Sequence, residues 1–122
     1  MVEFALEEYI RATNTHDFQE VAKCLHPNAV YWFSDQTCTS LKAIKLYFER
    51  SWSAIPDEVY RAEEVVWLSK ETTSASCVYT YHYQGHVGGA FRAGSGRATN
   101  VFIYVEGKWS LIHEHSSPSA NE

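Results

Sequence analysis

Apolar side chains recur every three to four positions in the first half of the chain and every second position in the rest. Val2, Ala5, Leu6, Tyr9, Ile10 and Thr13 fall on one face at helical spacing and predict a first helix. Asn14-Thr15-His16 interrupts it. Asp17 is placed as an N-cap, with Glu20 three residues on completing a capping box. Phe18, Val21, Ala22 and Leu25 form the inner stripe of this second, short helix, and Pro27 ends it by disfavouring helical backbone in the preceding residue. Residues 29–33 read as a short strand. Thr39 or Ser40 caps a third helix on which Leu41, Ile44, Phe48 and Trp52 share a face, closed by Ile55-Pro56-Asp57.

Beyond Asp57 the period changes to two, the repeat of a strand. Strands are predicted at 59–69, 75–84, 91–105 and 108–116. Cys77, Tyr79, Tyr81 and Tyr83 point one way on the second of these. Residues 85–89 read as a loop, Gly94 and Gly96 as a bend or bulge, and Glu106-Gly107 as a hairpin turn. Helices first and an antiparallel meander afterwards make an α+β fold. Residues 1–117 are expected to form one domain and residues 118–122 a polar tail.

The composition is that of a globular protein except for its aromatics: eight Tyr, six Phe and four Trp. So many large rings exceed what a compact core hides and point to a lined cavity. Ten Lys and Arg against fifteen Asp and Glu give a net charge of −5, which with no basic run argues against a nucleic-acid partner. No apolar stretch approaches the ~20 residues needed to span a bilayer, and the N-terminus has no signal-peptide pattern. Cys24, Cys38 and Cys77 are odd in number and widely spaced, as expected of buried reduced thiols in a cytoplasmic protein.

The order of elements resembles the nuclear transport factor 2-like superfamily, with SnoaL-like polyketide cyclase domains and the calmodulin-dependent kinase association domain as the nearest branches. The resemblance is carried by Glu8-Tyr9-Ile10 through Asn14 and Asp17, by Leu25-His26-Pro27-Asn28-Ala29-Val30, by residues 44–52, and by Gly96-Arg97-Ala98-Thr99. Gly107-Lys108-Trp109 with Leu111-Ile112-His113-Glu114-His115 is its most specific piece. It implies a cone: a strongly bent, mainly antiparallel sheet with three N-terminal helices in its concavity and a cavity between them. It also implies homodimers, or larger symmetric assemblies, formed through the convex sheet face. On that face Thr99, Val101 and Ile103 are expected beside Ser110, Ile112 and Glu114, with Arg97 also outward.

Pairing the last two strands across the turn sets Tyr104 opposite Trp109, Phe102 opposite Leu111 and Asn100 opposite His113. In this register Asn100, His113 and His115 look into the concavity, and a one-residue slip reverses their faces. Tyr9, Tyr81 and Tyr83 then complete a polar floor, with Tyr31, Phe33 and Trp52 as apolar walls of a small-molecule pocket. Each imidazole has a second reading as a core histidine bonded to tyrosine.

Similarity to the ketosteroid isomerases, a distant branch, implies a catalytic tyrosine at Tyr9 and a second oxyanion donor at Asn100. The general base of those enzymes falls on Phe33, which cannot accept a proton, so steroid-type isomerisation is not expected. His113 or His115 is the replacement base, and Asp35 lies at the rim as a turn residue. His113-Glu114-His115, with His82 and His86, lacks the further ligands of a metal site, and Gly94-Ser95-Gly96-Arg97 lacks the helix of a phosphate loop. No cofactor is called for. Two functions follow: a small-molecule protein with acid–base chemistry of isomerase, cyclase or dehydratase type on an apolar carbonyl compound, or a non-enzymatic ligand-binding or oligomerisation module.

Overall fold

In the computed structural model, which describes residues 1–119, three helices precede most of the sheet. They are α1 (Val2–Thr13), α2 (Phe18–Ala22) and α3 (Leu41–Ala54), with strands β1 (Leu25–Trp32) and β2 (Thr37–Cys38) between the last two. The long strands β3 (Val59–Lys70), β4 (Ser74–Val87), β5 (Ala90–Val105) and β6 (Lys108–Pro118) follow. The sheet order is β2-β1-β6-β5-β4-β3, antiparallel throughout except where β1 runs parallel to β6. The α+β class and the helices packed against a curled sheet match the expectation.

The helices form where apolar spacing and capping agree. α1 buries Val2, Leu6, Tyr9 and Ala12, and α3 buries Ile44, Phe48 and Trp52. Ser40 Oγ accepts from Ala43 N at 3.1 Å, and Asp17 Oδ1 accepts from Gln19 N at 2.9 Å. The capping box does not form, because Glu20 turns instead to Lys23 at 2.6 Å and Arg11 at 3.5 Å. Tyr9, Val21, Tyr31, Ile44, Phe102 and Leu111 are fully buried and join both layers in one core. Each such side chain contributes roughly 1.5–3 kcal/mol through burial.

Several strand boundaries differ from the sequence reading. β1 begins at Leu25, not 29, because Leu111 N donates to Cys24 O at 2.8 Å and draws the chain onto β6. Pro27, which has no N–H to give, falls in the register shift between Leu25 and Val30. The 85–89 loop is a turn of Gly88 and Gly89 only, both at positive φ. Gly96 marks no bulge: the β4–β5 register is unbroken from Val87–Ala90 to Ser74–Ile103. Its lack of a side chain lets the Tyr81 ring cross it, since a Cβ there would stand 2.4 Å from the phenol and 2.3 Å from Ser117 O. At the C-terminal end Pro118 still belongs to β6, and Ser119 N donates to Ser95 O at 2.9 Å. The rest of the expected tail, 120–122, lies outside the described residues. Among the described residues no helix is long and apolar enough to cross a membrane.

One irregularity decides what faces the helices. Tyr104 pairs with Trp109 and Phe102 with Leu111, as expected, but the next pairs are Val101–His113 and Asn100–Glu114. Ile112 is the extra residue of a β-bulge, which shifts the register by one and exchanges the faces of everything after it.

Candidate functional site

The bulge at Ile112 brings Glu114, not His113 or His115, into the concavity. Glu114 is 5% exposed and lies beside Asn100, which is fully buried. Tyr9 Oη donates to Glu114 Oε1 at 2.8 Å, and Asn100 Nδ2 donates to the same oxygen at 3.0 Å. The Tyr31 hydroxyl lies 2.7 Å from that of Tyr9. Because Tyr9 gives its proton to the carboxylate, Tyr31 donates to Tyr9. A relay from β1 through α1 thus converges on a residue of β6. Oε1 carries both bonds, while the side chain lines a cavity to which Oε2 is left.

That cavity, about 380 Å³, lies between α1, α3 and the sheet, within the size range of small-molecule sites. Its walls are aromatic: Phe33, Phe48, Trp52, Tyr60, Tyr81 and Tyr83, with Tyr9 at the base and Tyr47 toward the rim. Phe33 stacks on Tyr47 at 3.6 Å and Tyr60 on Tyr81 at 5.6 Å, so the walls are held by ring-to-ring contact. Among the described residues the carboxyl groups that line the cavity are those of Glu114, Glu58 and Asp35. Asp35 accepts from Tyr47 Oη at 2.9 Å. Among the described residues no Lys, Arg or His belongs to the lining.

The mouth is fixed by the link between α1 and β3. Asn14 Nδ2 donates to Tyr60 O at 2.8 Å while Tyr60 N donates to Asn14 Oδ1 at 2.7 Å, pairing a side chain with the strand as another strand would. His16, at φ 58°, stacks on Trp52 at 5.2 Å and bonds Glu58 O at 2.8 Å through Nε2. These contacts hold Glu58 at the entrance.

Burial pushes the Glu114 carboxyl up to about 7, against a smaller downward pull from the Tyr9 and Asn100 hydrogen bonds. Burial alone pushes Glu58 up to about 7. Tyr9, Tyr31 and Tyr60 are raised well above the usual phenol range by burial and then by the charge of Glu114, and stay neutral. Two carboxyl groups in one cavity therefore exchange protons near neutral pH, which is where such a group serves as donor or acceptor. Asn100 Oδ1 is buried without a hydrogen-bond partner, a further cost localised at this site.

Of the residues singled out in the sequence, Tyr9 and Asn100 meet at the base of the cavity, and Phe33, Trp52, Tyr81 and Tyr83 line it. Tyr31 stands behind Tyr9. The expected inward orientation of His113 and His115 is corrected. His113 Nδ1 bonds Val30 O at 2.7 Å, and both rings pack edge-on against Trp32 at 5.3 and 5.8 Å, on the opposite face from Glu114. Glu114, for its part, was expected on the convex face. Sequence reasoning missed it because strict alternation assigns it outward, and it missed Glu58 because Pro56-Asp57 reads as a turn. The one available signal was that a single-residue slip sets Glu114 beside Asn100.

A family model described as the calcium/calmodulin dependent protein kinase II association domain matches residues 2–120. No curated protein matches the chain. Among solved structures, a candidate association domain of this kinase from Xanthomonas campestris superposes with a TM-score of 0.87 at 22% identity, covering 99% of this chain and 87% of that one. A nuclear transport factor 2-like superfamily protein from Salmonella enterica gives 0.85 at 12% identity, covering 95% and 87%. The association domain of the C. elegans kinase gives 0.78 at 13% identity, covering 95% and 92%. At these identities the likeness carries the fold, that of the nuclear transport factor 2-like superfamily.

Proposed function

Because the chain belongs to the calcium/calmodulin dependent protein kinase II association domain family, we propose that it is a self-assembling protein of this fold that binds a small molecule in its aromatic cavity and exchanges a proton with it through Glu114. The observation that carries this reading is the Glu114 carboxyl: buried, held at one oxygen by Tyr9 and Asn100, with the other left to a cavity of about 380 Å³. A carboxyl group buried with one oxygen unbonded is costly to keep unless something meets it.

The roles expected of Tyr9 and Asn100 change accordingly. Both spend their donors on Glu114 and position it, so what enters the cavity meets the Glu114 carboxyl rather than a tyrosine–asparagine oxyanion hole. The acid–base group is Glu114 in place of His113 or His115. Phe33, Trp52, Tyr81 and Tyr83 serve as ligand walls. A cytoplasmic setting fits Cys24, Cys38 and Cys77, all free thiols.

The test is a small-molecule NMR screen of the labelled protein, read at the Trp52 indole N–H and at a carbon-13 label in the Glu114 carboxyl. Ligands of the cavity shift both signals and move the carboxyl titration. If aromatic compounds of every charge leave both signals in place on the folded protein, the reading fails.

Assembly is supported by a second observation. The convex face carries Val101, Ile103 and Ile112 only partly covered, next to Trp32 at 51% exposure. An apolar face of this kind on an open sheet suits a second copy of the chain.

A further inference from the structure

We propose that the ligand is an organic cation, a protonated amine carried on an aromatic or similarly flat apolar body, with its ammonium against Glu114 and Glu58. This rests on the cavity being a ligand site and adds the charge class of what enters it.

The lining is one-sided in charge. Glu114, from β6, lies at the base, Glu58 at the mouth and Asp35 at the rim, and among the described residues no cationic side chain joins them in the lining. His16 and Arg50 pack against lining rings but do not themselves line the cavity. His16 lies behind Trp52 and bonds a backbone carbonyl, and the Arg50 guanidinium sits 4.9 Å over the Tyr47 ring. A carboxylate or phosphate ligand would therefore find no cationic partner among the described lining residues, and would be repelled once Glu114 and Glu58 ionise. An ammonium meets the Glu114 oxygen that Tyr9 and Asn100 leave unbonded, in a lining that includes the rings of Trp52, Tyr60, Tyr81 and Tyr83, and aromatic π-systems attract cations. A neutral ligand can use the aromatic walls but leaves the carboxyl groups unmatched.

The groups packed around Glu114 are Tyr9 from α1, Tyr31 from β1, Tyr60 from β3, Cys77 and Tyr79 from β4 and Asn100 from β5. Burial keeps the tyrosines neutral and pushes the Cys77 thiol up to about 12, so none of these changes charge between pH 6 and 8. Glu114 and Glu58 do. A cation that needs ionised Glu114, at about 7, gains roughly tenfold in affinity from pH 6 to pH 8.

The experiment is calorimetric titration of the full chain with three probes of matched shape: phenethylammonium, 2-phenylethanol and phenylacetate. The expected result is that phenethylammonium binds at least tenfold tighter than the alcohol at pH 8, that phenylacetate does not bind, and that only the ammonium probe strengthens with pH. Glu114→Gln, which keeps the oxygen that accepts from Tyr9 and Asn100, should remove most of that strengthening, and Glu58→Gln should remove a smaller share. The second variant keeps the test decisive if the first does not fold. Equal or tighter binding of the alcohol or the acid overturns the cation inference while leaving the cavity a ligand site. Binding of none of the three, together with an unresponsive Trp52 indole, overturns both.

Discussion

Replacing Glu114 with glutamine should make the protein more stable at neutral pH and nearly remove one component of its pH dependence. In the folded chain the carboxyl sits at about 7, against 4.5 for a free glutamate. The native state thus binds this proton more tightly than the unfolded state. Its stabilising share is complete below pH 4.5 and is lost as pH rises through about 7. At 1.36 kcal/mol per pH unit, the interval is worth about 3 kcal/mol, of which roughly 2–3 kcal/mol falls between pH 5 and pH 8. Glutamine keeps the acceptor for Tyr9 and Asn100 but has no charge to desolvate. Glu58 contributes a slope of the same sign in both proteins, so the difference between them isolates Glu114. The assay is urea unfolding followed by tryptophan fluorescence at pH 5, 6, 7 and 8. Parallel pH profiles for the two proteins would refute the account, because they would mean that Glu114 is solvated or paired in a way that leaves its proton affinity ordinary.

Two further outcomes follow from the packing. Gly96→Ala should destabilise by about 1–3 kcal/mol in the same assay, because its Cβ would meet Ser117 O at 2.3 Å and Tyr81 at 2.4 Å, and a backbone carbonyl cannot swing aside as a side chain can. A variant as stable as the parent would show that β5 and β6 yield there. Val101→Lys on the convex face should shift the sedimentation coefficient toward smaller species while leaving the circular dichroism unchanged, and an unchanged assembly size would remove this face as the interface.

How far the site could be read from the sequence can be followed residue by residue. Tyr9 was placed by helical spacing, Trp52 by the stripe it shares with Ile44 and Phe48, and Tyr81 and Tyr83 by strand alternation. Each depends on a regular element. Asn100 was placed correctly on the inner face, but its partner was not. Neither Glu58, whose carboxyl is raised by the fold around it, nor the β2 strand carries a local pattern of its own.

The chain's local chemistry by itself determined the three helices, their caps at Asp17 and at Thr39 or Ser40, the turn at Glu106-Gly107 and the first pairs of the last hairpin. These follow from periodicity and from interactions a few residues apart. Only the tertiary structure decided which side chain of His113-Glu114-His115 looks inward. The choice rests on where Ile112 is squeezed out of the ladder as β6 pairs with β5 on one side and with β1, in parallel, on the other. A bulge is the joint solution of two pairings remote in sequence. Alternation along a single strand carries no record of it, and one extra residue exchanges imidazole for carboxylate at the base of the cavity.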